Sequence, residues 1–396
     1  MLRGGHFVRM TALLAALLAI TPLSIDISLA ALPGVAGALG GTPGRAGHVV
    51  ALFLVGFAIG QLAYGPASDR LGRRPVLLGA LALYLGATFG CLAAPSLDWL
   101  LAARFVQGLG ACAGPVIARA VVRDLYEPAP GARVLSLAAT GMSLAPIVAS
   151  ITGGLVVSRF GWRGVFVALA GYGVVLLAWA ALRLPETNRR RDQPALSAAS
   201  LLHDYLVVVA DRRFVRYVLT LAAGSIGLFA WISGSPAVLM SVAGLPPHIY
   251  GLTFAAVNLG QLGGALLSAR LAVRVGIDHT IAVGLALYVA GGVTLAALAL
   301  AGAQHAVAVA VPMAVFQLGN GLVMPNTVVG AVAPFPRTAG TAAALAGFVQ
   351  MVAGAASGMV LARVYDGTGR PMAMFVAVAA LGAALAFALV GRHRRP

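Results

Sequence analysis

Residues 65–75 read GPASDRLGRRP. They stand between two apolar runs, 47–67 and 75–95, each long enough to cross about 30 Å of hydrocarbon as a helix. An acid at such a junction is costly without a cation beside it, and Arg70, Arg73 and Arg74 surround Asp69. Gly72 suits a tight turn, and Gly65 is expected to let a neighbouring helix approach. The stretch reads as the turn between two membrane spans, carrying a latch of opposite charges that can make and break.

Two hundred residues further on, part of this stretch returns. Gly60-Gln61-Leu62 recurs as Gly260-Gln261-Leu262, and Ser68, Arg70, Leu71 and Arg74 recur as Ser268, Arg270, Leu271 and Arg274. Seven identities over the fifteen positions 60–74 point to a duplicated unit. Parallel repeats of this kind place a substrate site between the halves, near the bilayer midplane.

Composition agrees. Sixty per cent of the residues are hydrophobic, ten per cent are charged and the mean hydropathy is +0.94. A soluble chain carries about a quarter of its residues charged, so this one is not built to face water. The charge-poor stretches predict twelve helices: 8–31, 47–67, 75–95, 98–122, 134–158, 163–182, 216–240, 248–269, 279–301, 305–330, 338–362 and 371–391. The first could be a cleaved leader, but its apolar run continues past residue 20 with Asp26 inside it, and it is read as a retained span.

The formal charge of +16 comes from arginine alone, since the chain has no lysine. The arginines crowd one side of the predicted spans and thin out on the other, where Arg45, Arg159, Arg163, Arg363 and Arg370 fall. That asymmetry places both termini in the cytoplasm and argues against a nucleic-acid partner. The loop 184–213, with Arg189, Arg190, Arg191 and Pro194, separates an N-terminal six-helix bundle (1–183) from a C-terminal one (214–396), and 200–209 could form a short interfacial helix. Cys91 and Cys112 are expected to be free, and no Cys/His cluster has metal-ligand spacing.

These motifs resemble a known family. The 65–75 stretch resembles the G-x-L-a-D-R-x-G-R-R signature of the major facilitator superfamily, with Gly65, Asp69, Arg70, Gly72, Arg73 and Arg74 matching. RFVQG from Arg104 resembles the superfamily's arginine motif in span 4. ARAVVRDLYEP (118–128), GLFAWISGSP (227–236), TFAAVNLGQLGG (253–264) and APFPRTAGTAAALAGFVQ (333–350) resemble the Bcr/CflA subfamily of drug–proton antiporters. One motif is off-pattern: the family's span 5 run G-x-x-x-G-P-x-x-G-G corresponds to Gly141, Ala145-Pro146 and Ala149-Ser150, with Gly153-Gly154 displaced.

The resemblance implies an all-α membrane protein of twelve helices in two six-helix bundles, a monomer in a bacterial inner membrane, with spans 1, 4, 7 and 10 around a central cavity. Asp26, the only carboxylate well inside a span, is then the protonatable group, and Arg104 at a similar depth biases its proton affinity. Asp124 is expected to pair with an arginine of the 65–75 turn. By position, Gln107, Phe229, Trp231, Gln317 and Asn320 are the substrate-contact candidates, a set suited to neutral or amphipathic small molecules. The subfamily is associated with bicyclomycin, sulfonamides and chloramphenicol.

A P-loop needs a lysine, so the chain supplies no ATP-driven pump of that type; an ion gradient takes the place of a cofactor, and one buried acid suits a proton. The expected function is therefore proton-coupled efflux of drug-like molecules. The alternative is import or export of a metabolite on the same fold, separable by the direction of flux in everted vesicles. A membrane enzyme is disfavoured because no Ser/His or His/His/Asp set falls within the spans. A transport-dead sensor of the same fold would show no flux at all.

Overall fold

The computed structural model describes residues 4–188, 198–303, 305–336 and 338–390. Arg3, Arg189–Arg191, Arg337, Arg392, Arg394 and Arg395 of the cation pattern lie outside the described residues. All regular structure within them is helical. The order is α1 (Gly4–Leu29), α2 (Leu32–Ala38), α3 (Pro43–Ala46), α4 (His48–Leu71), α5 (Arg73–Leu92), α6 (Leu97–Leu125) and α7 (Pro128–Arg183). After these come α8 (Ala198–Ala210) and α9 (Arg212–Pro236), the latter followed by one wide turn over Ala237–Val242. The chain continues with α10 (Pro247–Val275), α11 (Ile277–Leu300), α12 (Ala306–Val332), α13 (Ala339–Val364) and α14 (Arg370–Leu389). Eleven helices among the described residues are long and apolar enough to cross a membrane.

One of the eleven differs from the prediction of separate spans at 134–158 and 163–182. α7 runs for 56 residues, about 84 Å at 1.5 Å per residue, far more than one crossing needs. Gly161 interrupts it with φ 69° and ψ −172°, a conformation open only to glycine. The chain reverses there. Ala15 of α1 packs against Gly141, and the Ala16 carbonyl accepts the Tyr172 hydroxyl at 2.6 Å. Gly141 and Tyr172 thus meet α1 at one level from opposite sides of Gly161.

Elsewhere the helices outrun the predicted spans. α4 reaches Leu71 and α6 reaches Leu125, so Asp69, Arg70 and Asp124 sit on final helical turns rather than in loops. Hydropathy marks where hydrocarbon ends; the backbone ladder continues beyond it.

The chain divides into two compact units, Met1–Gly41 with Leu52–Ala195, and Thr42–Ala51 with Leu196–Pro396. In the first, α1 lies against both parts of α7 and against α6, and α5 lies between α6 and α7. In the second, α12 is central, packed by α9, α10 and α11, with α13 and α14 against α9. The recurring glycine has one job in both units. A Cβ on Gly60 would stand 3.1 Å from the Leu109 carbonyl of α6, and one on Gly260 2.5 Å from the Ala314 carbonyl of α12. The duplication extends to buried tyrosines that the repeat in sequence did not reveal: Tyr84 of α5 reaches Ser24 of α1, and Tyr288 of α11 lies beside Gly224 of α9.

Candidate functional site

Arg104 sits seven residues into α6, whose start is capped by the Ser96 hydroxyl accepting the Trp99 N–H at 3.3 Å. Its side chain is wholly buried. The guanidinium donates to Gln107 Oε1 at 2.6 Å and to the Ser24 carbonyl at 3.2 Å, with a longer approach of 3.5 Å to the Ser28 hydroxyl. It also lies over the Phe53 ring, 4.6 Å from the centroid. Gln107 passes the chain on, donating to Thr88 Oγ1 at 2.7 Å. The Ser24 hydroxyl donates to the Ile20 carbonyl, so the 2.8 Å contact with Tyr84 is one in which Tyr84 donates. Together these bonds tie α1, α5 and α6.

Asp26 does not belong to that cluster. Residues 24 and 28 share one face of α1, and residue 26 projects from roughly the opposite one. Arg104, expected to bias the proton affinity of Asp26 from a similar depth, makes no direct contact with it. The carboxyl is 5 % exposed, and among the described residues no hydrogen bond or ion pair reaches it. It falls on the stripe of α1 that also carries the half-buried Thr11, Ala15 and Pro22.

The 65–75 turn holds the expected pairing of opposite charges and more. Gly72 has φ 102°, so the turn needs glycine. Arg73 is buried; its Nη1 lies 2.6 Å from Asp69 Oδ1 and donates to Ser68 Oγ at 2.7 Å, while its Nε donates to Asp124 Oδ2 at 3.0 Å. The expected partner for Asp124 is therefore Arg73. Arg70 is exposed, and Arg74 donates to the Ala181 carbonyl at 2.8 Å. Gly65 is a correction: open space lies where its Cβ would be, so no helix approaches there.

Sequence reading missed the strap that closes this turn. Glu186 accepts the Arg73 and Arg74 backbone N–H groups at 3.0 and 3.2 Å, an acid on the free donors of the α5 N-terminus. Thr187 donates to Asp124 Oδ2 at 3.1 Å, and Asn188 donates to the Asp69 carbonyl at 2.6 Å. The signal was an acid next to a proline just after a span, Pro185-Glu186, in residues read as linker.

The second unit keeps the repeated arginines without the acid: Ala269 stands where the repeat would need a counterpart of Asp69, and Arg270 and Arg274 are exposed. An ion pair of this unit lies elsewhere. Arg216 at the start of α9 donates to Asp278 Oδ2 at 3.2 Å and to the Phe387 carbonyl at 2.9 Å, and Tyr217 donates to Asp278 Oδ1 at 2.6 Å.

The five substrate-contact candidates are all buried. Gln107 has both ends of its amide engaged, linking Arg104 to Thr88. Phe229 fills the space left by Gly354 of α13. Trp231 stacks on Phe254 of α10 at 5.5 Å and 3°. Gln317 donates to Asn258 Oδ1 at 2.9 Å, and Asn320 accepts the Tyr288 hydroxyl at 2.6 Å. Cys91 and Cys112 are buried and free.

Comparison with known proteins places these features in a family. The sequence model described as Major Facilitator Superfamily matches residues 14–358. The chain is 31% identical over 355 residues to multidrug resistance protein D of Escherichia coli (strain K12), covering 87% of this chain and 86% of that one. It is 28% identical over 357 residues to a bicyclomycin resistance protein homolog of Haemophilus influenzae, covering 89% and 88%. Among solved structures, the xylose transporter XylE from E. coli in a partially occluded inward-open conformation superposes with a TM-score of 0.76 over 98% of each chain, at 14% identity. That last likeness is one of fold. With a family match from the first membrane helix into α13, and relatives aligned over most of their length, this chain belongs to the Major Facilitator Superfamily.

Proposed function

We propose that this chain is a proton-coupled exporter of small drug-like molecules, of the Bcr/CflA type. It works by alternating access as a monomer in a bacterial inner membrane, with no cofactor beyond the proton gradient. The observation that carries this is Asp26, an acid inside a membrane helix, covered, and engaged by no neighbour among the described residues. A carboxyl without a structural partner at that depth is free to load and unload a proton. Arg104 positions the turn of α1 that bears it, through Ser24 and Ser28.

Arg73, with Asp69 and Asp124, is the latch of the first unit, strapped by Glu186 to Asn188. The reversal at Gly161 supports twelve crossings, and the arginine asymmetry supports cytoplasmic termini. The names of the relatives, a multidrug resistance protein and a bicyclomycin resistance protein homolog, support drugs as the cargo.

Everted vesicles test the direction and the coupling together. An acidified interior should drive bicyclomycin inward in vesicles bearing the unaltered protein, and Asp26→Asn should abolish that accumulation. Uptake in the opposite sense, or full proton coupling in Asp26→Asn, would refute the reading.

A further inference from the structure

The second unit carries five buried polar side-chain atoms with no hydrogen-bond partner among the described residues; Ser233 Oγ faces Gly358 of α13, and the other four lie together on three helices: Trp231 Nε1 on α9, Asn258 Nδ2 on α10, and Gln317 Oε1 and Asn320 Nδ2 on α12. They are close in space. Gln317 touches Asn258 directly, Asn320 follows Gln317 by one helical turn, and Trp231 stacks on Phe254, one turn before Asn258. Each lies eleven to fourteen residues from one end of its membrane-crossing segment (Val242, Pro247 or Ala306), and so near the middle of the bundle. Leaving one such group unsatisfied is unfavourable, and leaving four together in the middle of a bundle asks for an occupant.

The chemistry of the occupant can be read from the valences left over. The Gln317–Asn258 bond uses one N–H and one oxygen of the two amides. Whichever way the amides are turned, the pair keeps one donor and one acceptor unsatisfied. Trp231 and Asn320 add further donors. None of the four is charged, so a bare ion finds no counter-charge in the set. A matching ligand is neutral and offers a carbonyl oxygen and an N–H side by side, as an amide does. The stacked indole beside it suits a flat or ring-bearing molecule.

We propose that Trp231, Asn258, Gln317 and Asn320 form a subsite within the second unit that receives an amide-type group of a neutral substrate. It rests on the exporter reading and narrows the cargo of that exporter. Gln261, whose Oε1 lies 3.4 Å from Gln317 Nε2, orients the Gln317 amide as a positioning residue.

The test compares two probes on the full-length protein in lipid nanodiscs by isothermal titration. Bicyclomycin, whose ring is a cyclic dipeptide, has amide donors and acceptors; tetraphenylphosphonium has neither. Gln317→Met and Asn258→Leu should each weaken bicyclomycin about tenfold, the value of one good hydrogen bond, and leave tetraphenylphosphonium unchanged. Equal weakening of both probes together with a lowered Tm would identify a purely structural network and overturn the proposal. Unchanged bicyclomycin affinity in the variants, or no binding by the unaltered protein, would overturn it too. Asp26→Asn separates the two readings: it should still bind bicyclomycin, with an affinity that no longer changes with pH, while losing pH-driven transport. If it still exchanges drug for protons, the coupling reading fails while the subsite stands.

Discussion

Arg104 holds α1 on either side of Asp26, through the Ser24 carbonyl at 3.2 Å and the Ser28 hydroxyl at 3.5 Å, and does not touch the carboxyl between them. The arginine is engaged in hydrogen bonds to its neighbours, and the acid has no such bond among the described residues. The two substitutions should therefore separate. Arg104→Leu strands the Ser24 carbonyl and Gln107 Oε1 and should cost about 2–4 kcal/mol of stability, read as a lowered unfolding midpoint in detergent. Asp26→Asn breaks no bond and should stay within about 0.5 kcal/mol of the unaltered protein.

Proton movement gives the functional half of that contrast. Drug binding at constant pH should release protons from the unaltered protein in weakly buffered solution, and Asp26→Asn should release none. A second acid doing the coupling would show itself as release that survives the substitution.

The latch around Arg73 is buried on one side and exposed on the other, so its members are unequal. Asp69 is mostly exposed, with 59 % of its side chain open to solvent, and Asp69→Asn should cost less than about 1 kcal/mol. Asp124→Ala removes the acceptor of the buried Arg73 Nε and of Thr187, and should cost about 1–3 kcal/mol. Chemical denaturation of the two variants side by side measures the ranking; equal costs would contradict the geometry.

Glu186 accepts two backbone N–H groups at the α5 N-terminus. Glu186→Gln keeps an acceptor but removes the charge facing the helix end, for about 0.3–1 kcal/mol of stability. Transport should slow by more than that small change in folding explains, because the strap and the latch share Asp124. Initial rates of drug efflux at matched expression are the measurement.

Two glycines make opposite predictions. At Gly161 a Cβ meets no neighbour, yet φ 69° with ψ −172° excludes other residues, so Gly161→Ala should cost about 1–3 kcal/mol or more and lower the yield of inserted protein. Gly65 has open space and ordinary helical backbone, so Gly65→Ala should be neutral or slightly stabilising in unfolding experiments. A severe defect in Gly65→Ala would mean that its partner surface lies in another conformational state.

How much of this was legible without coordinates follows from the range of each interaction. Apolar length and charge spacing are local properties, so the spans, the Gly72 turn and the duplicated 60–74 stretch could be read directly from the order of residues. The depth shared by Asp26 and Arg104 was legible too, since depth is distance along a helix. Which way a side chain points is not. A two-residue offset from Ser24 turned Asp26 away from the guanidinium, and only helical phase against a neighbouring helix decides that. Glu186 was passed over because the α5 backbone donors it caps are 112 and 113 positions away. The Arg216–Asp278 pair escaped for the same reason, since packing alone brings the two together. The chain alone determined that the molecule lives in a membrane as a doubled bundle, because hydrocarbon tests every residue in turn. Tertiary structure decided which polar groups are satisfied and which are left over, because a hydrogen bond requires two atoms to meet in space.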